Sequence, residues 1–277
     1  VTAVDTILTT VVEATAEIRP GLATRRTKIE EENPTGDTQV AADQWIDDLL
    51  FERFRDLDAV GSYVSEERTG RLDVGDGYSV AVDPLDGSSN LETNNTTGTI
   101  VGVYDAPLPA RGRDLVASAY VLYGSYTTMT VARDDAVELL VVQDGSVVDS
   151  DPVSFPDDPE ICGVAGETSE WDTSLRSYVD DLRERHKLRY SGAMVADVEQ
   201  LLTYGGFLAY PPSPSQPDGI LRLQFESNPI AHIVETAGGR SSDGERSILD
   251  HEPESLHQSV PTYFGTPSLV DELETRL

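Results

Sequence analysis

Lysine occurs twice in the 277-residue chain, at Lys28 and Lys187, and cysteine once, at Cys162. A lone cysteine excludes an intrachain disulfide, and a chain of this length can bury a core large enough to need neither a bridge nor structural zinc. No stretch reaches the roughly 18 consecutive apolar residues of a membrane span, and glycine and proline recur throughout. No charged region followed by an unbroken apolar run opens the chain, so a soluble, cytoplasmic protein without a membrane partner is expected. His186, His232, His251 and His257 lack the spacing of a zinc site, and structural roles are expected for them and for Cys162. Gly-x-x-x-x-Gly-Lys and Gly-x-Gly-x-x-Gly are also absent, which disfavours a nucleotide-driven kinase or a dehydrogenase.

Positive charge is scarce as a whole. Twenty Lys plus Arg face 50 Asp plus Glu, a formal net charge of -30 at pH 7. Such a surface repels nucleic acid and anionic lipid, whose binding depends on cationic side chains releasing counterions. Self-repulsion also strains a compact chain in dilute buffer, and molar salt relieves it by shortening the Debye length to about 3 Å. The acids are spread among helices and strands rather than gathered in a tail, so a halophilic protein is expected, more active and more stable in molar KCl.

Val4, Ile7, Leu8, Val11, Val12, Ile18 and Leu22 share one face of a 3.6-residue period, and Val40, Trp45, Ile46, Leu49, Leu50 and Phe54 share another. Two amphipathic helices are predicted, separated by the polar segment 28–37. After Gly61 the texture becomes β-rich, with strands expected over Tyr78–Asp83, Gly98–Tyr104, Leu115–Tyr123, Tyr126–Val131 and Val137–Val142. Gly124-Ser125 and Asp134-Asp135 are of hairpin length and make neighbours antiparallel. Ser150–Pro159, rich in proline and aspartate, is the candidate boundary between residues 1–153 and 154–277. The second half reads as a helix over Met194–Leu202, a strand ending near Tyr210, a proline-rich loop and a strand over Ile220–Glu226. A helix capped by Ser227 or Asn228 with Pro229 in its first turn follows, and Gly238-Gly239 ends it. A strand over Val260–Phe264 leads to a terminal helix opened by Thr266-Pro267. Hairpins packed on helices make the fold class α+β, layered rather than doubly wound.

Three acidic clusters fall at loops or strand ends: Asp37 with Asp43, Glu66 with Glu67, and Asp83 with Asp86. The last lies in Asp83-Pro84-Leu85-Asp86-Gly87-Ser88-Ser89-Asn90. Proline fixes a turn there and glycine permits close backbone approach, so both carboxylates and the Leu85 carbonyl can converge on a hard cation such as Mg²⁺. The amides of Gly87 and Ser88, with the Ser88 and Ser89 hydroxyls, can cradle phosphate oxygens. A plain tight turn, a solvated glutamate pair and capping aspartates explain the same residues piece by piece. Glu226 carries more weight, standing at the end of an apolar strand just before a helix.

The constellation resembles fructose-1,6-bisphosphatase of the lithium-sensitive, metal-dependent phosphatase superfamily. The likeness runs through Gly36-Asp37 with Asp43, Val64-Ser65-Glu66-Glu67, Asp83 to Asn90, Gly98 to Tyr104, Arg189 to Asp197, Tyr204-Gly-Gly, Leu221-Arg222 with Glu226, and Ala237-Gly-Gly. It implies a layered α-β-α-β-α sandwich of largely antiparallel and mixed sheets that hydrolyses the 1-phosphate of fructose 1,6-bisphosphate. Asp37, Glu66, Asp83, Leu85 through its carbonyl, Asp86 and Glu226 match the family's Mg²⁺ ligands, with two or more ions per site and Mn²⁺ as a substitute. Asp43 and Glu67 match the pair that deprotonates water. Ser88, Ser89 and Arg222 match contacts to the 1-phosphate, and Tyr190, Met194 and Tyr210 those to the sugar and distal phosphate. Arg189 matches a residue contributed across a subunit interface, which implies a homo-oligomer, a dimer or a tetramer.

Ile220 stands where the family pattern has a lysine, and Gly166 where it has an asparagine near the distal phosphate. A related bisphosphate or inositol monophosphate is therefore the alternative substrate, and a non-catalytic metal-binding regulator the remaining reading. The glycine-threonine loop that binds AMP in the mammalian-type enzymes has no counterpart, so no inhibition through that site is expected.

Overall fold

In the computed structural model residues 2–32, 34 and 38–277 are described, 28–32 and 38–39 by their backbone alone. Gly36 and Asp37 lie outside the described residues. Helix α1 (Ala3–Gly21) is opened by a reciprocal cap in which Thr2 and Asp5 satisfy each other's backbone amides. The short antiparallel pair β1 (Lys28–Glu32) and β2 (Thr38–Val40) leads into α2 (Ala41–Arg55).

An eight-stranded sheet follows, built from β3 (Val60–Ser65), β4 (Leu72–Asp73), β5 (Tyr78–Asp86), β6 (Thr97–Tyr104), β7 (Leu115–Tyr123), β8 (Thr127–Arg133), β9 (Ala136–Gln143) and β10 (Ser146–Val153). Its spatial order is β10-β9-β8-β7-β6-β5-β3-β4, and every pair is antiparallel except β3 with β5. The β8–β9 hairpin turns at Asp134 and Asp135, both with positive φ, as a two-residue loop between right-twisted strands requires.

The second sheet, ordered β12-β11-β13-β17-β15, comprises β11 (Ile161–Val164), β12 (Lys187–Leu188), β13 (Gly206–Tyr210), β15 (Arg240–Ser242) and β17 (Thr262–Gly265). A two-residue pair, β14 (Leu221–Arg222) with β16 (Ser259–Val260), stands beside it. The other helices are α3 (Thr173–Arg185), α4 (Met194–Tyr204), α5 (Asn228–Ala237) and α6 (Pro267–Arg276).

Alternation along the strands sorts side chains into layers. Val80, Val82, Val101 and Val103 pack with Ile7, Val11, Ile46 and Leu50 of α1 and α2, whereas Ala81, Ile100 and Tyr120 face α4 and α5. Leu208 and Tyr210 share that central core, and Phe207 and Ala209 on the opposite face meet Tyr178, Leu182 and Val270 of α3 and α6. The result is the expected α-β-α-β-α sandwich.

Three local expectations are corrected. The strand predicted over Ile220–Glu226 stops at Arg222, and Leu223–Ser227 forms a π-helical turn continuous with α5. Leu223, Gln224 and Phe225 are all fully buried, so hydrophobicity carried no period by which to separate the two. Ser227 is consequently helical and caps nothing; its hydroxyl meets that of Thr262 at 2.8 Å. The strand over Val260–Phe264 is split at Pro261, which has no N–H for a ladder, and its parts join different sheets. Within the candidate boundary segment, Ser150–Val153 is the end of strand β10, with Pro152 tolerated because β10 is an edge.

Candidate active site

The parallel register of β3 and β5 brings the acidic motifs together. Ser65 pairs with Val82, so the next residues, Glu66 and Asp83, emerge side by side, and the Glu66 amide donates to the Val82 carbonyl at 3.0 Å. The segment Asp83 to Asp86 is not a free turn but a bulge inside β5. Asp83 opposes Ile100 and Asp86 opposes Gly98, leaving Pro84 and Leu85 against Thr99 alone. Proline brings no donor to this ladder, and the Thr99 hydroxyl donates to the Pro84 carbonyl at 2.8 Å. Asp83 accepts the Leu85 amide at 2.9 Å, and the Leu85 side chain joins the core under α1 and α2.

Glu226, delivered by the π-helical turn, completes a cluster in which oxygens of Glu66, Asp83 and Glu226 lie within 4.8 Å of one another. All three side chains are buried or nearly so. Burial, with Glu66, Glu226 and Asp86 as neighbours, raises Asp83 well above the carboxylate range, and Arg222 pulls the other way. The Arg222 guanidinium bonds Glu66, and its backbone amide donates to Glu226 at 2.6 Å. Arg222 thus sets a fixed positive charge against clustered negative ones, which is the electrostatic demand a divalent ion meets more fully. A carboxylate-only donor set suits a hard cation, so the residues fit Mg²⁺ or Mn²⁺ chemistry. Among the described residues this is the one group able to hold a metal, and it contains no histidine. His232, His251 and His257 bond instead to Ser118, Asp243 and the Arg68 carbonyl.

Asp86 lies next to the Glu66, Asp83 and Glu226 cluster, and one of its carboxylate oxygens accepts the Val195 amide at the N-terminus of α4 at 2.9 Å. Burial pushes it up to about 6 despite the amides of Met194 and Val195. Gly87 follows with φ 70°, and a Cβ there would stand 2.4 Å from that of Ala193, so glycine is required on both counts. Ser88 begins a 3₁₀ turn over Ser88–Thr93, with Ser88 half-buried and Ser89 exposed.

Asp43 in the first turn of α2 accepts the Val40 amide at 2.6 Å, the capping role its position suggested. It also faces Glu67 and the Ser88 hydroxyl. Burial and Glu67 push it up to about 7, against the opposing pull of Val40 and Ser88. The Glu66–Glu67 loop is clamped onto α2 by Arg68, whose guanidinium reaches Asp47 at 2.6 Å and Asp48 at 2.7 Å. Sequence reasoning missed Asp47, a buried acid that also receives the Tyr63 hydroxyl at 2.8 Å. Nothing in its helical position set it apart from neighbouring solvated acids.

Met194 and Tyr210 are buried beside Asp86 and Asp197, and Tyr190 is half-exposed beside them. Arg189 points away, to Gln200 at 3.1 Å and over the Tyr204 ring. Ile220 is half-buried against the central core, and Gly166 takes φ 83° just past β11.

An acidic, cation-ready cluster at the carboxyl ends of two parallel strands, bordered by a glycine-hydroxyl loop, defines a protein built for metal-assisted chemistry on an anionic ester. The chain belongs to the fructose-1,6-bisphosphatase family. Residues 2–148 match the model described as "Fructose-1-6-bisphosphatase, N-terminal domain" and residues 155–277 that described as "Fructose-1-6-bisphosphatase, C-terminal domain". The chain is 50% identical to the class 1 fructose-1,6-bisphosphatase of Halobacterium salinarum, over 99% of this chain and 97% of that protein. Identity to that of Natronomonas pharaonis is 48%, over 99% of each. A crystal structure of Leishmania major fructose-1,6-bisphosphatase in holo form superposes with a TM-score of 0.88 at 31% identity, covering 99% of this chain and 91% of that one. Membership in this family implies a divalent-metal cofactor and a sugar-phosphate substrate.

Proposed function

We propose that this phosphatase hydrolyses the 1-phosphate of fructose 1,6-bisphosphate, giving fructose 6-phosphate and phosphate, with Mg²⁺ as its physiological ion. The carrying observation is the convergence of Glu66, Asp83 and Glu226 beside the loop Gly87–Ser88–Ser89 and the facing pair Asp43–Glu67. The three clustered carboxylates would hold one cation, with Asp86, the Leu85 carbonyl and, by resemblance, Asp37 completing the set for two or more ions. Bound divalent ions neutralise phosphoryl oxygens and lower the pKa of a coordinated water. The chain's own part is to place and move protons. The amides of Gly87 and Ser88 and the hydroxyls of Ser88 and Ser89 hold the phosphate, and Arg222 exchanges Glu66 for its oxygens. Asp43 and Glu67 take the proton of the attacking water, and Tyr190, Met194 and Tyr210 bound the sugar. Residues 1–153 form the half that supplies most of the metal centre and 154–277 the half that supplies most of the sugar contacts. A homo-oligomer in which Arg189 crosses to a partner, and a cytoplasmic location, complete the reading.

Ile220 and Gly166 favour a second reading, in which weak distal-phosphate recognition admits other phosphate monoesters. Phosphate release in molar KCl, with and without Mg²⁺ or Mn²⁺, from fructose 1,6-bisphosphate, inositol monophosphate and fructose 6-phosphate tests both. Metal-dependent release restricted to the bisphosphate is expected. Equal release from the monophosphates would transfer the protein to the broader reading, and none from any of them would sink both.

A further inference from the structure

Asp197 is 1% exposed in the first turns of α4, and no role in metal or phosphate binding falls to it. One carboxylate oxygen accepts the Ser191 amide at 2.8 Å, and the other receives the Tyr210 hydroxyl at 3.4 Å. Those partners come from different elements: Ser191 lies in the loop between β12 and α4, and Tyr210 ends β13. The same loop carries Tyr190 and runs to Met194. It is also fastened to the phosphate loop, because the Asn90 side-chain Nδ2 donates both to the Ser191 carbonyl at 3.1 Å and to the Thr96 carbonyl at 2.9 Å. Gly192 takes φ 82° directly against Asn90, and Ala193 packs on Gly87. A buried carboxylate is costly unless its acceptors are used, and here they are used to join two walls rather than to build one element.

We propose that Asp197 is a positioning residue that fixes the Tyr190–Met194 loop relative to the Tyr210 hydroxyl, and so sets the width of the sugar subsite. The proposal rests on the sugar-phosphatase reading above, for which Tyr190, Met194 and Tyr210 bound the substrate. Asp197 lies two residues beyond the pair Met194 and Val195, whose amides hold Asp86, so its removal leaves the Glu66, Asp83 and Glu226 cluster in place. Its signature is therefore a change in KM for the sugar phosphate rather than in metal affinity.

The test is steady-state hydrolysis of fructose 1,6-bisphosphate in molar KCl by wild type, Asp197→Ala, Asp197→Asn, Tyr210→Phe and the double variant D197N/Y210F. Mn²⁺ titration and thermal melts accompany each protein. For Asp197→Ala, KM should rise about tenfold or more while kcat falls less than about threefold. Asparagine keeps one oxygen for the Ser191 amide and should restore most of the loss. Because Asp197 acts partly through Tyr210, the KM effects of D197N and Y210F should combine to less than their product. An unchanged KM in a folded Asp197→Ala, or independent effects in the isosteric pair should Asp197→Ala not fold, overturns the proposal. So does a fall in Mn²⁺ affinity that accounts for the whole defect. Absence of turnover by the wild type overturns the underlying reading and the proposal with it, an outcome distinct from the others.

Discussion

A carboxyl enclosed beside a second carboxyl holds its proton at a pH where a solvated one has released it. Asp43 is in that position, pushed up to about 7 by burial and by Glu67, with the Val40 amide and the Ser88 hydroxyl as counterweights. A group that changes charge near neutrality transfers protons efficiently, and Glu67 is the neighbour that tunes it. Glu67→Gln keeps the shape and removes both a base and a like charge. Its kcat should fall about 100-fold or more, the usual cost of losing a general base. The thermal midpoint and the Mn²⁺ titration should be unaltered. Wild-type kcat in the E67Q variant would remove Glu67 from proton handling.

At the scale of elements, the site depends on irregular backbone: a bulge at Pro84–Leu85, a left-handed glycine at 87 and a π-helical turn before α5. Gly87→Ala places a Cβ against Ala193 and puts a side chain at φ 70°, a conformation that costs roughly 1–2 kcal/mol in itself. Since Gly87 supplies a phosphate amide, kcat/KM should drop further than stability does. Gly70→Ala, with nothing within 4 Å of the added carbon, is the control and should change neither. Equal behaviour of the two would show that the loop tolerates rearrangement. The same irregularities mark the limit of what could be read in advance. The helices α1 and α2 and the hairpins of the large sheet follow from period and turn chemistry, and the carboxylates of the site stood out through motif and resemblance. The uninterrupted burial of Val60–Ser65 and Ile161–Val164 gave no alternation to mark β3 and β11, and Asp172, which caps α3 through the amides of Ser174 and Leu175, looks in sequence like any other acid. The continuation of β5 through Pro84 and the π-helical geometry at Glu226 depend on partners far along the chain, Thr99 and Gln258 among them. Local propensity does not contain them.

For the whole molecule, two kinds of negative charge have to be separated. The dispersed surface acids repel one another at long range, and molar KCl screens that repulsion. The enclosed acids are insulated from salt and act through their protons. Asp43 is pushed up to about 7, and Asp86 and Asp197 to about 6, each chiefly by burial. The unfolded chain gives up these protons near pH 4, so between about pH 4 and 7 the folded protein holds protons that the unfolded chain lacks. Stability therefore falls with rising pH, by up to about 1.4 kcal/mol per pH unit for each group still protonated, and levels off once the folded groups have ionised. Asp243, pulled down to about 2 by His251 and the amides of Glu245 and Arg246, acts in the opposite sense but only below about pH 4. With KCl held constant in the molar range, the thermal midpoint of EDTA-stripped protein should accordingly decline from pH 5 to 7. Added Mg²⁺ should raise it most at pH 8, because a cation binds the ionised carboxylates and competes with protons for them. A midpoint independent of pH in the stripped protein would mean that these acids ionise in the folded state as freely as in water, and that the cluster is not held closed before the metal binds.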